Sequence, residues 1–263
     1  MSILRNYEEL SEFEKLGLIS MSYSRLETFK SCEAKYFYQY IDKQPRSTNG
    51  AAAMGTAVHS VLEKSDLNDL DLKDMLYQLE LEFEAEDPDG DMITRELKEA
   101  ARELLGEFVD RHYGDTFETL GKELNFNVVI GNGYFTGFID RVDITPSGGI
   151  LIQDYKAGKW KVAKKDVPTN MQLGLYACAI RKFYPEYWPI TAELYYLREG
   201  KMFGQTYTHE ELDNMEFQIR DKCAEIAKTN FFHYTGQNWT CKSMCDFGKS
   251  GVCPRGKTVL GTW

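Results

Sequence analysis

GYFTGFIDRVDI (133–144) and ILIQDYK (150–156) are the stretches whose reading decides the fold. Both are rich in β-formers and are separated by the turn TPSGG, which predicts two strands. Upstream, ELNFNVVI (123–130) is joined to the first of them by GNG, a hairpin signal. In a strand, residues i and i+2 share a face, so Asp154 and Lys156 project together. Asp140 ends an apolar stretch, after Phe138 and Ile139, on the neighbouring strand. A single D-x-K is common at strand ends; two carboxylates on adjacent strands with a lysine beside them are more specific. That set suits a hard divalent ion that also meets a phosphate. Such an ion polarises a phosphoryl oxygen and lowers the pKa of bound water. The lysine is placed to hold the attacking water or to stabilise charge on the phosphorane.

Working outward, SYSRLETFKSCEAKYFYQYI (22–41) has helical spacing, and GTAVHSVLEKS (55–65) predicts a second helix bearing His59. Residues 66–116 read as a helical insertion, in which Ile93, Leu97, Ala101, Leu104 and Phe108 trace one face. Beyond the third strand, Pro168 is expected to open a helix to about Tyr184. ITAELYYL (190–197) reads as a strand, and Glu210 to Lys228 as a helix. The expected architecture is a single α/β domain. Its parts are N-terminal helices (21–65), the acidic insertion (66–116), a core (117–230) and a Cys-rich tail (231–263).

The chain has 263 residues, 43 % of them hydrophobic and 27 % charged, enough to bury a sizeable core. No apolar run approaches the roughly 20 residues of a membrane helix, and the expected location is the cytosol. The net charge of −10 argues at first against a polyanionic partner. Yet Asp66 to Glu99 holds thirteen acids against Lys73, Arg95 and Lys98, itself a net of −10, so the rest of the chain is neutral. A polyanion is therefore free to bind away from that segment.

Six cysteines in a reducing compartment are not expected to form structural disulfides. Cys241, Cys245 and Cys253 crowd the C-terminus, and Cys32 is the candidate fourth ligand of a tetrahedral sulfur site. Zinc and iron–sulfur clusters both use four cysteines. Cys178 and Cys223 are assigned to packing. After Lys156, the residues Lys159, Trp160, Lys161, Lys164 and Lys165 combine phosphate-neutralising charge with an indole that can stack on an unpaired base. Gln172 and Tyr176 lie four apart on one helical face. They are candidates to reach a phosphate or base, against the alternative of a tyrosine packed in the core. EAEDPDGDMITRE looks superficially like a calcium loop, but its first ligand position is Ala85, and a helix–turn–helix linker is the better reading.

Taken together, GTAVH with His59, Glu123, the G-x-x-D of GFIDRVDI with Asp140, DYK with Asp154 and Lys156, and QLGLYA with Gln172 and Tyr176 resemble the PD-(D/E)XK nuclease superfamily. More narrowly they are similar to its RecB-like exonucleases, although no proline precedes Asp140. The resemblance implies a restriction-endonuclease-like core. It also implies a metal site of His59, Asp140, Asp154 and the Tyr155 carbonyl, with Lys156 catalytic and Glu123 the acid of its strand. The early cysteine in SYSRLETFKSCEAKYFY, paired with three late ones, is similar to the iron–sulfur subgroup, which includes AddB-type subunits and CRISPR-associated RecB-like exonucleases. By that likeness Cys32, Cys241, Cys245 and Cys253 hold a [4Fe-4S] cluster, although the spacing departs from the commoner C-x2-C-x5-C. Zinc is the minority alternative. The implied activity is a Mg²⁺- or Mn²⁺-dependent DNA exonuclease on single-stranded or frayed ends. Its setting would be recombination, repair or CRISPR adaptation in a prokaryote or phage, with partner proteins or self-assembly compatible. The competing expectations are a non-catalytic DNA-end-binding module and a structure-selective endonuclease.

Overall fold

A computed structural model of the chain describes residues 2–4, 16–158, 167 and 169–257. In chain order, β1 (Ser2–Leu4) and β2 (Ile19–Met21) precede α1 (Tyr23–Ser31), the short helix α2 (Glu33–Tyr36) and a π-helical turn, Phe37–Ile41. The helices α3 (Gly50–Lys64), α4 (Leu72–Glu86) and α5 (Arg95–His112) follow. Next come β3 (Glu118–Ile130), β4 (Gly133–Ile144), β5 (Ile150–Lys156), α6 (Met171–Phe183), β6 (Ile190–Tyr196) and β7 (Lys201–Tyr207). Then α7 (His209–Lys228), β8 (Phe231–His233) and the short helices α8 (Asn238–Ser243), α9 (Asp246–Lys249) and α10 (Pro254–Lys257) complete the order. The chain forms two compact units. One comprises Thr48–Phe126 and Phe138–Glu216; the other comprises the residues up to Ser47, Asn127–Gly137 and those from Phe217 on.

The first of these units is an α/β fold with a mixed sheet flanked by helices. The end of β4 pairs antiparallel with β5, β5 runs parallel to β6, and β6 is antiparallel to β7. A parallel pair needs a crossover, and α6 supplies it. Leu173 to Ile180 is an unbroken buried run, as expected of a helix with apolar surroundings on all sides. Asn170 starts this helix by accepting from the Gln172 and Leu173 amides at 3.0 and 3.1 Å. The helix therefore begins after Asn170, three residues beyond the expected opening at Pro168, which itself lies outside the described residues. α3, α4 and α5 pack around Val58, Val61, Leu79, Leu105 and Phe108, all at most 1 % exposed. The Asp87 carboxylate accepts from the Asp91, Met92 and Ile93 amides and fixes the turn between α4 and α5. Led by the Ile93 contact, these amides hold its carboxyl below the ordinary aspartate range. The segment is a helix–turn–helix linker whose leading acid is occupied by backbone.

In the other unit β2 runs parallel to the start of β4, and β1 is antiparallel to β8. The expected continuous helix over 22–41 is interrupted at Cys32, which is extended (φ −167°). Its amide closes α1 on the Thr28 carbonyl, and its own carbonyl opens α2 by accepting from the Tyr36 amide. Because only one residue departs from helical geometry, the apolar spacing runs through the break. Early and late segments are knitted together here. Glu33 accepts from the His233 amide at 2.8 Å, and Tyr36 stacks on Phe232 at 6.2 Å.

Candidate active site

Every described residue of the expected metal and lysine site belongs to the unit of Thr48–Phe126 and Phe138–Glu216. His59 comes from α3, Glu123 from β3, Asp140 from β4, Asp154 and Lys156 from β5, and Gln172 and Tyr176 from α6. One ligand atom each from His59, Glu123 and Asp140 lie within 4.8 Å of one another. His59 Nδ1 is 3.4 Å from Asp140 Oδ1, while Asp140 Oδ2 accepts from the Tyr155 amide at 2.5 Å. That backbone bond clamps the Asp140 carboxylate onto β5, beside Asp154.

Glu123 stands inside β3, which begins at Glu118 and so earlier than the expected strand start at 123. It adopts φ +43°, a conformation rare for a non-glycine residue. Strain of this kind costs on the order of 1–3 kcal/mol and persists where the surroundings impose it, commonly at functional sites.

Asp154 is 3 % exposed and meets three donors. Lys156 forms an ion pair with Oδ2; Gln172 Nε2 donates to Oδ1 at 2.7 Å, and the Tyr176 hydroxyl to the same oxygen at 3.4 Å. Lys156 Nζ also donates to Gln172 Oε1 at 3.2 Å. The Gln172 amide thus holds both ends of the Asp154–Lys156 pair, using its two different atoms. Outer contacts of this type orient ligand carboxylates. Tyr176 is buried: its ring packs edge-on against Phe126 at 5.8 Å, the alternative considered for it, and its hydroxyl is turned to Asp154.

The electrostatics follow from burial and like charge. Burial pushes the Asp154 carboxyl up to about 6 against the pull of Lys156, with Asp140 adding to the rise. Burial also raises Glu123, again with Asp140 contributing. At His59 burial works to lower the pKa, but the hydrogen bond and charge of Asp140, with Asp154 and Glu123 behind it, prevail and raise it. Such mutually perturbed groups mark functional sites more often than structural ones. A nitrogen and carboxylate oxygens converging this closely form a hard donor set that fits a divalent cation.

The four cysteines lie in the other unit. A side chain on Gly236 would place its Cβ 3.2 Å from Cys241 Sγ and 3.6 Å from Cys32 Sγ, so both sulfurs flank this glycine. Burial raises the Cys241 and Cys253 thiols; Cys32 and Cys245 add to both shifts, and Cys241 adds to that of Cys253. An early and a late cysteine, Cys32 and Cys241, therefore lie about the same glycine. Cys178 and Cys223 are fully buried elsewhere, consistent with packing. Lys159, Trp160, Lys161, Lys164 and Lys165 lie outside the described residues.

No curated protein matches the chain. Among solved structures, a protein from Eubacterium rectale that carries the provisional name exonuclease is 14 % identical. The alignment covers 99 % of this chain and 96 % of that one, with a TM-score of 0.59, a likeness of fold. The structure of SSO0001 aligns at 13 % identity over 77 % of this chain and 94 % of that one, with a TM-score of 0.37, too low to carry weight. The family model of the PD-(D/E)XK nucleases matches residues 20–254. That span contains His59, Glu123, Asp140, Asp154 and Lys156 together with all four clustered cysteines, and the chain belongs to the PD-(D/E)XK nuclease superfamily.

Proposed function

We propose that the protein is a metal-dependent DNA exonuclease that hydrolyses phosphodiesters at single-stranded or frayed ends with Mg²⁺ or Mn²⁺. The observation that carries this reading is the convergence of His59, Glu123 and Asp140 beside the Asp154–Lys156 pair. His59, Glu123, Asp140 and Asp154 would hold the ion, with the Tyr155 carbonyl as a further oxygen. A bound ion supplies Lewis acidity toward the phosphoryl oxygen and lowers the pKa of water. The Lys156 ammonium, held by Gln172, is positioned to orient a nucleophilic water and to neutralise charge growing on the phosphorane. The Tyr155 amide keeps Asp140 aimed, and Tyr176 and Gln172 do the same for Asp154.

End-labelled single-stranded and duplex DNA, incubated with Mg²⁺, Mn²⁺ or chelator, tests this directly. Stepwise, metal-dependent loss of label is expected, and the label lost first gives the polarity. Intact DNA in every condition, from protein that still binds DNA ends, would replace the enzyme with an end-binding module.

A pH profile follows from the raised groups. Asp154 and His59 must both be deprotonated to act as ligands, and both have folded pKa values above their ordinary ones. Activity should therefore be full at alkaline pH, decline first as His59 protonates above its ordinary 6.5, and be lost as Asp154 titrates at about 6. The expected decline is roughly tenfold per pH unit for one group and steeper where both titrate. Because metal and protons compete for the same ligands, the apparent pKa should move down as Mn²⁺ is increased. Single-turnover cleavage between pH 5 and 8 at two metal concentrations checks both points, and a flat profile would contradict them.

The four-cysteine group is read as the site of a [4Fe-4S] cluster with a structural role. The position of Cys32 and Cys241 about Gly236, and the contribution of Cys32, Cys241 and Cys245 to the raised Cys253 thiol, support it. Protein purified anaerobically should be brown with broad visible absorption. Cys32→Ser should abolish the colour and lower Tm, by about 2–4 °C for each kcal/mol lost. Colourless protein containing zinc would replace the cluster with a zinc site and leave the nuclease reading intact.

A further inference from the structure

Phe138 precedes Asp140 by two positions on β4. Ile139 between them is fully buried, whereas Phe138 is 54 % exposed and Asp140 half-buried, so the phenyl ring and the metal-site carboxylate share one face of the strand. Their Cα atoms are separated by about 7 Å, two residues of extended chain. Single exposed apolar side chains are ordinary on protein surfaces. Phe138 differs in place rather than in kind. It stands at the edge of the site, and among the described residues no aromatic ring or cation stacks on it. The described charged groups around it are mostly acidic. Among the described residues, Glu123, Asp140 and Asp154, with Glu63 close enough to raise Glu123, set several carboxylates beside Lys156. A strand entering this site can gain from a contact that does not depend on charge, and an exposed aromatic face offers one to any base.

We propose that Phe138 is a specificity-determining residue that stacks on the base adjoining the scissile phosphate and so selects unpaired DNA. In a duplex that base face is covered by its neighbours in the helix, and only a single-stranded or frayed end presents it to the ring. The inference rests on the nuclease reading of the same site and adds to it the group that reads strandedness.

The test pairs protein variants with substrate variants. Single-stranded oligonucleotides carry either natural nucleotides or abasic ones flanking the scissile phosphate, and are assayed with the full chain and with Phe138→Ala, Phe138→Leu and Phe138→Tyr. Phe138→Ala and Phe138→Leu should lower kcat/KM on the natural strand roughly 5- to 100-fold, mainly through KM. Phe138→Tyr should recover most of that loss. The abasic strand should cost the unsubstituted protein a similar factor and the Ala and Leu variants nothing further. Because stacking displaces no counterions, the slope of log affinity against log salt should not change. Binding of the same oligonucleotides in chelator gives the stacking contribution without cleavage. Absence of metal-dependent cleavage would thus defeat the nuclease reading, and the binding comparison would still decide the stack. A Leu variant equal to the unsubstituted protein, or an Ala variant losing as much on abasic as on natural strands, would overturn the inference.

Discussion

Lys156→Ala should lower the rate of DNA cleavage by roughly 10²- to 10³-fold, the loss usual when one preorganised stabiliser of developing charge is removed. The side chain closes β5 with its ammonium between Asp154 and the Gln172 carbonyl oxygen, and it takes no part in the strand ladder. Folding should survive its removal, and DNA binding in chelator should stay within a few-fold. A second signature separates this role from general damage. Lys156 opposes the burial-driven rise of the Asp154 pKa, so its loss should push that carboxyl higher still and move the acidic limb of the pH profile upward. Single-turnover rates from pH 5 to 9 provide both readings. Unchanged cleavage would remove Lys156 from the mechanism.

Asp140→Asn should have an effect at least as large, about 10²- to 10⁴-fold, because it deletes an anionic ligand without changing shape. The substitution separates the two duties of this residue. An asparagine carbonyl can still accept from the Tyr155 amide, as Asp140 Oδ2 does at 2.5 Å. The atom facing His59 Nδ1, now 3.4 Å away, becomes an amide nitrogen with no lone pair for a metal. The variant should fold with a nearly unchanged Tm in chelator, and the added stability that Mn²⁺ gives the unsubstituted protein should shrink or vanish. Thermal unfolding with and without Mn²⁺, run beside the cleavage assay, checks both. A variant that cleaves normally and keeps the full Mn²⁺ stabilisation would mean that Asp140 is not a ligand.

The central strand was legible because its pattern is redundant. ILIQDYK is apolar, bounded by turn residues and ends in charge, and β5 has the expected limits of Ile150 and Lys156. The same holds for the helix of Gln172 and Tyr176, although its cap at Asn170 was overlooked in favour of Pro168. Strands of three residues, such as β2 and β8, are too short for any periodicity, and only their partners define them. β7 was missed for another reason: KMFGQTY is exposed at alternate positions and carries a glycine, so nothing apolar runs along it. At the site, the side chains were readable and the backbone was not. No sequence pattern signals that Tyr155 contributes an amide to Asp140, or that Glu123 takes a left-handed conformation which a glycine would ordinarily announce. Phe138 appeared only as part of an apolar stretch, because alternation of exposure becomes informative once the strand's buried face is known.

The division of the chain into interleaved units has a consequence for its synthesis. All residues of the unit that carries His59, Asp140 and Lys156 have been made once Glu216 is added, whereas the unit of the four cysteines draws on Phe217 and beyond. Cys32 leaves the ribosome roughly 200 residues ahead of Cys241, an interval of about 10–40 s at ordinary elongation rates. Through that interval it is a thiol without its three companions. The residues of the candidate active site can thus be brought together on the nascent chain, whereas the four cysteines can meet only after Cys253 has been made.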